Sequence, residues 1–570
     1  MRYLIYWIIF LFSASTLATE ETTSETATVA NAAHGNPSED IPYIPTALKQ
    51  SGFIYCVNGS LDTFNPQIAT NDLTVDTLAA QLYDRLLGVD PQGSTLIPEL
   101  ASRWEMLDDG TTYRFYLRHN VAFQSTAWFT PTRTMNADDV IFSFRRLFDK
   151  THYYHNINNG NYPYFDSLRL NDVVQEIRKI DQYTVEFRLN GPDASFLWHL
   201  ATYYAPVLSA EYGQQLFDKH QQDQIDKAPV GTGPFMLKNY QTGQFVRLVR
   251  NDNYWKRKPI MEQVVVDIGA GSTGRSSKLL TGECDVLAYP AADQWERLKN
   301  NPDLRQKSQP GMNIAYLALN TSKPPLDKLE VRQAIAYAID NKRLMKTIYY
   351  NTAETASSML PKASWAHDDQ IKITEYNPKK ARNILNKLGL NGLELTLWVP
   401  TASQVYNPSP LKMAELIQAD LAFVGINMSI HAIKGRFQES QLMDKTHDMT
   451  LTGWSTDSND PDSFFEPLFS CAAIKSKTNL SHWCNQDFEN EISQALLEQQ
   501  RESRLKNYAI AQQILAEQLP ALPLAYSKRV LIYRNDIKKL GLSSFGNSSF
   551  ENVYRMQDAN KLAEDEKGSQ

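Results

Sequence analysis

The chain has 570 residues, 42% of them hydrophobic and 11% aromatic, with four cysteines and a formal net charge of −7. At a usual domain size of about 150 residues this is enough for several domains with sizeable apolar cores. The acidic balance disfavours nucleic acid as an electrostatic partner and mildly favours cationic ligands.

The chain opens "MRYLIYWIIFLFSASTLATE", in which Arg2 supplies a charged start, Tyr3 to Phe12 an apolar core, and Thr16 and Ala18 a small-residue cleavage pattern. This reads as a secretory signal over residues 1–18. Its apolar run is about half of the roughly 20 residues a spanning helix requires, so no membrane insertion is expected. The first cysteine is Cys56, well past the signal, which argues against a lipid anchor. The expected address is the periplasm. Residues 19–42 are polar and rich in Thr, Ala and Glu, and read as a flexible tether.

Cys56, Cys284, Cys471 and Cys484 suggest two disulfides in an oxidising compartment, with three connectivities open. Their spacings fit neither a C-x-x-C redox pair nor a zinc cluster. A bridge between Cys471 and Cys484 would close a loop of about fifteen residues and contribute on the order of 3 kcal/mol. A bridge between Cys56 and Cys284 would tie the start of the fold to its middle, which requires a domain built from discontinuous segments.

Strand and helix signals then alternate. "TYRFYLR" at 112–118 and "YTVEFRL" at 183–189 show period-two alternation. "VVVDIGAGSTGR" at 264–275 sets Gly269, Gly271 and Gly274 in G-x-G-x-x-G spacing between a strand ending at Ile268 and a helix over "RSSKLLTG". A dinucleotide site also needs an acidic residue about 20 positions on. Asp285 comes too early, and Asp293 lies beyond "YPAA", outside any strand end. The stretch therefore reads as a glycine turn, and no cofactor is expected. "VRQAIAYAIDNKRLMKTIYY" at 331–350 reads as one helix with Val331, Ala334, Ile335, Ala338 and Ile339 as its core stripe. "NPKKARNILNKLGL" reads as another, with Asn377 as N-cap, Pro378 at the first helical position and Gly389 past the end. The mixture predicts α/β architecture with helices packed on sheets.

Catalytic patterns do not emerge. There is no G-x-S-x-G elbow and no H-E-x-x-H. His152 and His155 could share a face, but so short a spacing is ordinary, and no metal is assigned to them. A calcium loop in "DSNDPDSFFE" fails because Pro461 takes a ligand position and no glycine follows. The expectation is a protein that is not an enzyme.

Several stretches together carry a resemblance: "LDTFNP" at 61–66, "MNADDVIFSFRR" at 135–146, "PVGTGPF" at 229–235, "LLTGECDVLAYP" at 279–290 and "GWSTDSNDPDSFF" at 453–465. The series resembles that of the family 5 extracellular solute-binding proteins, the peptide-, dipeptide- and nickel-binding components of ABC importers, over essentially the whole mature chain. "PKASWAH", "GRFQESQLMD" and "TNLSHWC" resemble in particular the peptide-transport branch associated with antimicrobial-peptide sensitivity.

The resemblance implies a two-lobed, three-domain periplasmic binding protein of type II, cluster C, that closes about a hinge. Domain I would comprise 43–82, 233–312 and 530–557, domain II 83–232 and domain III 313–529, with 558–570 as a tail. It also implies the pairing Cys56–Cys284 and Cys471–Cys484. The implied partners are a peptide, including cationic antimicrobial peptides, and an inner-membrane ABC permease, with haem or another bulky solute as an alternative ligand. The expected state is a monomer that binds no nucleic acid.

In the dipeptide-binding members an aspartate in the "GW-x-x-D" stretch receives the ligand's ammonium, and the matching residue is Asp457, with Trp454 as an adjacent wall. An ammonium buried without an acid would lose several kcal/mol. Asp460 and Asp462 read as turn-formers around Pro461. The arginine that takes the dipeptide's carboxylate is replaced by Gln404 in "PTASQVYNPSP", and a neutral amide cannot neutralise a carboxylate. A pocket tryptophan is also missing, its place falling near Gly435, with Phe437 and Tyr406 as candidate replacements. His431 is the one cleft histidine that a nickel role would use. The expectation is a cleft that keeps an acid for the ammonium end and is open at the other, admitting longer peptides.

Overall fold

The 14-residue strand Ala521–Arg534 belongs to two half-sheets at once. Its first half pairs antiparallel with Asn313–Leu319 and Ala353–Thr355. Its second half pairs with Leu304–Pro310 and Val286–Ala288. Outward from the first half the order is Asn313–Leu319, Met449–Ser455, Leu393–Pro400 and Ile426–Ile433. From the second half it is Val286–Ala288, Gly52–Cys56, Gln263–Asp267, Phe245–Arg250 and Phe235–Gln241. A separate antiparallel sheet runs Ala101–Leu107, Thr112–Leu117, Thr184–Leu189 and Val174–Asp181. The computed structural model describes residues 51–70, 73–91, 93–269, 271–372, 374–433 and 447–556. The expected signal, tether and tail, together with Gly435 and Phe437, lie outside the described residues.

The second half-sheet is assembled from distant segments because its central strand, Gly52–Cys56, is buried throughout and pairs in parallel on both sides. Parallel strands need crossovers and covered faces, so the chain must leave and return. Three links then lock the segments together. Cys56 is bonded to Cys284. Asp285 Oδ2 accepts from the Ile54 N–H at 2.9 Å and from Arg555 Nη2 at 2.8 Å. The second disulfide joins Cys471 to Cys484, so both bonds follow the pairing that the family resemblance implies.

The chain passes between the half-sheets at two places, Gly311–Met312 and Ser527–Lys528. They lie against each other. Asn313 Nδ2 donates to the Ser527 carbonyl and Asn313 Oδ1 accepts from the Ser527 N–H, both at 3.1 Å. A Cβ at Gly311 would collide with the Asn313 amide and the Ser527 carbonyl, so glycine is required where the two crossings touch.

Most local expectations match the elements. Helix Pro378–Lys387 starts at Asn377, whose side chain accepts from the Lys380 N–H at 3.0 Å, and ends before Gly389 at φ +70°. Gly269 and Gly271 form an exposed turn between strand Gln263–Asp267 and helix Ser272–Thr281. The single helix expected over 331–350 is corrected. It runs from Leu329 to Ala338 and breaks at Ile339. Asp340 then caps a second helix by accepting from the Arg343 N–H, while its own N–H donates to Asp420 Oδ2. The apolar period survives the break, and capping chemistry overrides it.

Candidate functional site

A cavity of about 940 Å³ lies between the two half-sheets, floored by the crossing residues Ser527 and Lys528. Asp62, Asp76 and Asp293 face it from one side, and Gln404 and Lys412 from the other. Gln404 is held in a tight turn: its N–H donates to the Asn407 carbonyl at 2.9 Å and its carbonyl accepts from the Asn407 N–H at 3.1 Å.

Behind the cavity wall sits Arg529, 1% exposed. Its Nη1 pairs with Asp76 at 2.9 Å, and its Nη2 donates to Ser455 Oγ at 2.8 Å and to the Phe545 carbonyl at 3.1 Å. One guanidinium thus joins the cavity wall, the end of strand Met449–Ser455 and the C-terminal segment. Gly546, at φ +104°, is where a Cβ would collide with Asp76 and Arg529, so the turn closes only without a side chain.

Asp457 follows two residues after Ser455 and is 5% exposed. Its Oδ2 accepts from the Tyr203 N–H at 2.9 Å and its Oδ1 from Asn547 Nδ2 at 2.5 Å. Two remote segments therefore converge on one carboxylate. Burial raises its pKa above the usual carboxylate range, opposed by the two hydrogen bonds and by the nearby Arg85 and Arg529 guanidinia. Arg85 itself lies 3.8 Å over the Tyr203 ring. A carboxylate offers about four lone-pair sites, and these two donors occupy two of them.

Tyr406 lies flat on the same strand. A Cβ at Gly453 would collide with its ring, and its carbonyl accepts from Tyr349 Oη at 2.8 Å and Ser527 Oγ at 3.2 Å. Trp454 turns towards helix Asp462–Phe469, donating its indole N–H to the Ser463 carbonyl at 2.8 Å. Gln404 thus faces the cavity directly, whereas Tyr406, Trp454 and Asp457 cluster around the strand behind it.

The turn-forming expectation holds for Asp460 and is incomplete for both Asp460 and Asp462. Asp460 Oδ1 does accept from the Asp462 N–H at 3.1 Å. Asp460 is also fully buried, and its two oxygens pair with Arg504 at 2.7 and 2.8 Å. Asp462 is buried within 3.6 Å of His199 Nε2. His431 is exposed and stacks on Trp398 at 5.2 Å. Among the described residues, no group of three or more His, Cys, Asp or Glu is placed to hold a metal ion, and no helix is long and apolar enough to cross a membrane.

Sequence reasoning missed Asp76, Arg529, Tyr203 and Asn547. Tyr203 contributes a backbone N–H, for which no residue type is a signal, and Arg529 is one of 57 lysines and arginines. Gly546 was the available clue, because a glycine followed by asparagine favours a positive-φ turn.

Residues 95–476 match the family described as bacterial extracellular solute-binding proteins, family 5, middle. The chain is 60% identical over 532 residues to the peptide transport periplasmic protein SapA of Salmonella typhimurium, covering 93% of this chain and 96% of that one. It is 61% identical over 508 residues to the probable ABC transporter periplasmic-binding protein SapA of Escherichia coli K12, covering 89% and 93%. The crystal structure of the dipeptide-binding protein of Pseudoalteromonas sp. SM9913 in complex with Met-Leu superposes with a TM-score of 0.82 at 39% identity, covering 88% of this chain and 99% of that one. The two half-sheets joined at paired crossings have the type II periplasmic binding fold, and the chain belongs to the family 5 bacterial extracellular solute-binding proteins.

Proposed function

We propose that this protein captures peptides in the periplasm between two hinged lobes and delivers them, as a monomer, to an inner-membrane ABC permease. The observation that supports this reading is Asp457, a buried carboxylate on which residues 203 and 547 converge from two other parts of the chain. A peptide ammonium meets the remaining lone pairs of that carboxylate. Binding involves no bond-making, and a ligand favours the closed form by as much as it binds that form better. The lobes turn about Gly311–Met312 and Ser527–Lys528, with 43–82, 233–312 and 530–557 as domain I, 83–232 as domain II and 313–529 as domain III.

The ligand is longer than a dipeptide. Gln404 brings no charge to the cavity, whose cations on that side and floor are Lys412 and Lys528. A volume of 940 Å³ lies at the upper end of the roughly 300–1,000 Å³ usual for small-molecule sites. The peptide carboxylate therefore runs out towards the lysines, and Tyr406 supports the strand that presents Asp457. Haem is the competing occupant.

Isothermal titration of the purified protein with a dipeptide, a tetrapeptide and haemin tests the reading. The expected result is tighter binding of the tetrapeptide. Binding restricted to the dipeptide, or to haemin, contradicts it.

A further inference from the structure

Helix Asp462–Phe469 carries two acids one turn apart, Asp462 and Glu466, and both point across to residues of the 83–232 segment. Asp462 is 3% exposed. Its Oδ2 lies 3.6 Å from His199 Nε2, and His199 is itself fully buried, with Tyr164 Oη at 2.9 Å on Nδ1 and Ser195 Oγ at 3.0 Å on Nε2. Glu466 Oε1 lies 3.6 Å from Arg169 Nη1. Asp462 Oδ1 and Glu466 Oε1 are both buried and accept no hydrogen bond among the described residues. The surrounding seam is closed, as the Ala194 N–H donates to the Leu496 carbonyl at 2.9 Å across it.

The other charged and titratable groups facing the pair are Asp193, Tyr164 and Asp172 from the 83–232 side, Asp172 pairing with Arg169 at 2.9 Å, and Asp460, Arg504, Tyr508 and Glu489 from the helix's own side. Asp460 is spent on Arg504 at 2.7 Å, and Glu489 Oε1 on the Cys471 N–H at 2.6 Å. Arg504 and the half-exposed Arg169 are the only cations among these groups. The seam therefore holds more acid than base. Like charges at i and i+4 repel, and carboxylate oxygens buried without donors favour the neutral form.

We propose that this seam is a proton-sensitive latch: closing the lobes buries Asp462 and Glu466 against His199 and Arg169, so closure takes up protons and is favoured by acid. The proposal rests on the two-lobe closure described above and adds its regulation. In the closed form burial first, then the Asp462 charge, pushes Glu466 up to about 7, with Arg169 opposing. Burial and then Asp193 and Asp460 push Asp462 well above the usual range, with Arg504 opposing. His199 is held neutral by burial and gives Asp462 no compensating charge. In the open form, where the acids meet water, both return to ordinary carboxylate values. The group bound more tightly to its proton is the closed one, so stabilisation of closure is complete at low pH and is lost as pH rises through the raised values.

The test is the distance between labels at the exposed positions Asn161 and Lys379, measured by pulsed electron resonance without added ligand from pH 8 to pH 6. For one group moving from about 4.3 in the open form to about 7 in the closed, the closed-to-open ratio rises about tenfold over that range. Glu466→Gln removes the part of this dependence that Glu466 carries and leaves that of Asp462, with Asp457 in place. Arg169→Gln, which removes the cation that holds Glu466 down, moves the midpoint to higher pH. A ratio that is flat with pH in the wild type, a single fixed distance at every pH, or an undiminished dependence in Glu466→Gln overturns the latch. A failure of peptides to bind in calorimetry overturns the ligand reading instead, and leaves this distance measurement intact.

Discussion

Asp457 and Asp460 stand three residues apart in one loop and both are buried, yet their surroundings differ in kind. Asp460 is held within its own lobe by the forked guanidinium of Arg504 and the hydroxyl of Tyr508. Asp457 looks outwards, to the Tyr203 N–H and the Asn547 amide from other segments. A buried acid therefore does not announce a binding role by its burial. The segment that supplies its partners distinguishes a brace within one part of the chain from a carboxylate that joins separate parts.

The largest expected effect breaks the brace. Asp460→Ala leaves Arg504, whose side chain is 5% exposed, without its counter-charge and should destabilise folding by about 3–5 kcal/mol. Denaturant unfolding measures it, and a loss within experimental error would erase the distinction drawn between the two aspartates. Next, replacing Cys471 and Cys484 with serine frees the segment that follows helix Asp462–Phe469. The loop-closure model puts that loss at about 3 kcal/mol, read by the same unfolding curve with the Cys56–Cys284 bond kept.

Asp457→Asn sharpens the comparison from the other side. Its carboxylate is disfavoured by burial, so the neutral amide should leave folding stability within about 1 kcal/mol, while peptide affinity falls by about 2 kcal/mol for a lost charge-assisted hydrogen bond. Titration calorimetry and thermal unfolding together separate the two. The smallest effect is in pH. Burial raises Asp457 in the absence of ligand, and an ammonium requires the ionised form. Affinity is therefore full above that raised value and falls as pH drops through it, by up to about tenfold per unit. Calorimetry in a Glu466→Gln background isolates this loss from the opposing gain expected of the latch.

The fold was legible because its signals are local or serial. Capping residues around Asn377 and Gly389, alternation in Thr112–Leu117 and Thr184–Leu189, and a family series spread along the chain each survive without knowledge of contacts. The break at Ile339 was only half legible: Asp340 as the cap on Arg343 is a local signal, but the bond from its own N–H goes to Asp420, 80 residues away. Asp457 and Gln404 were singled out by resemblance, but their structural settings were not legible. The donors to Asp457 come from 254 and 90 residues away, and one of them is backbone. Asp460 and Asp462 were read as turn residues because proline and aspartate dominate that loop, whereas Arg504 and His199 give them their second roles. Glu466 carried no signal at all, because its burial is made by Arg169 and its neighbours on the facing segment.

In the proposed recognition a ligand's positive terminus is met by Asp457 between the lobes. Calorimetry with a tetrapeptide and its N-acetylated form, on the wild type and on Asp457→Asn, tests this most directly. Acetylation is expected to weaken binding to the wild type by about thirtyfold, the equivalent of one charge-assisted hydrogen bond, and to make little difference to Asp457→Asn. Equal wild-type affinity for the acetylated and unacetylated peptides contradicts it.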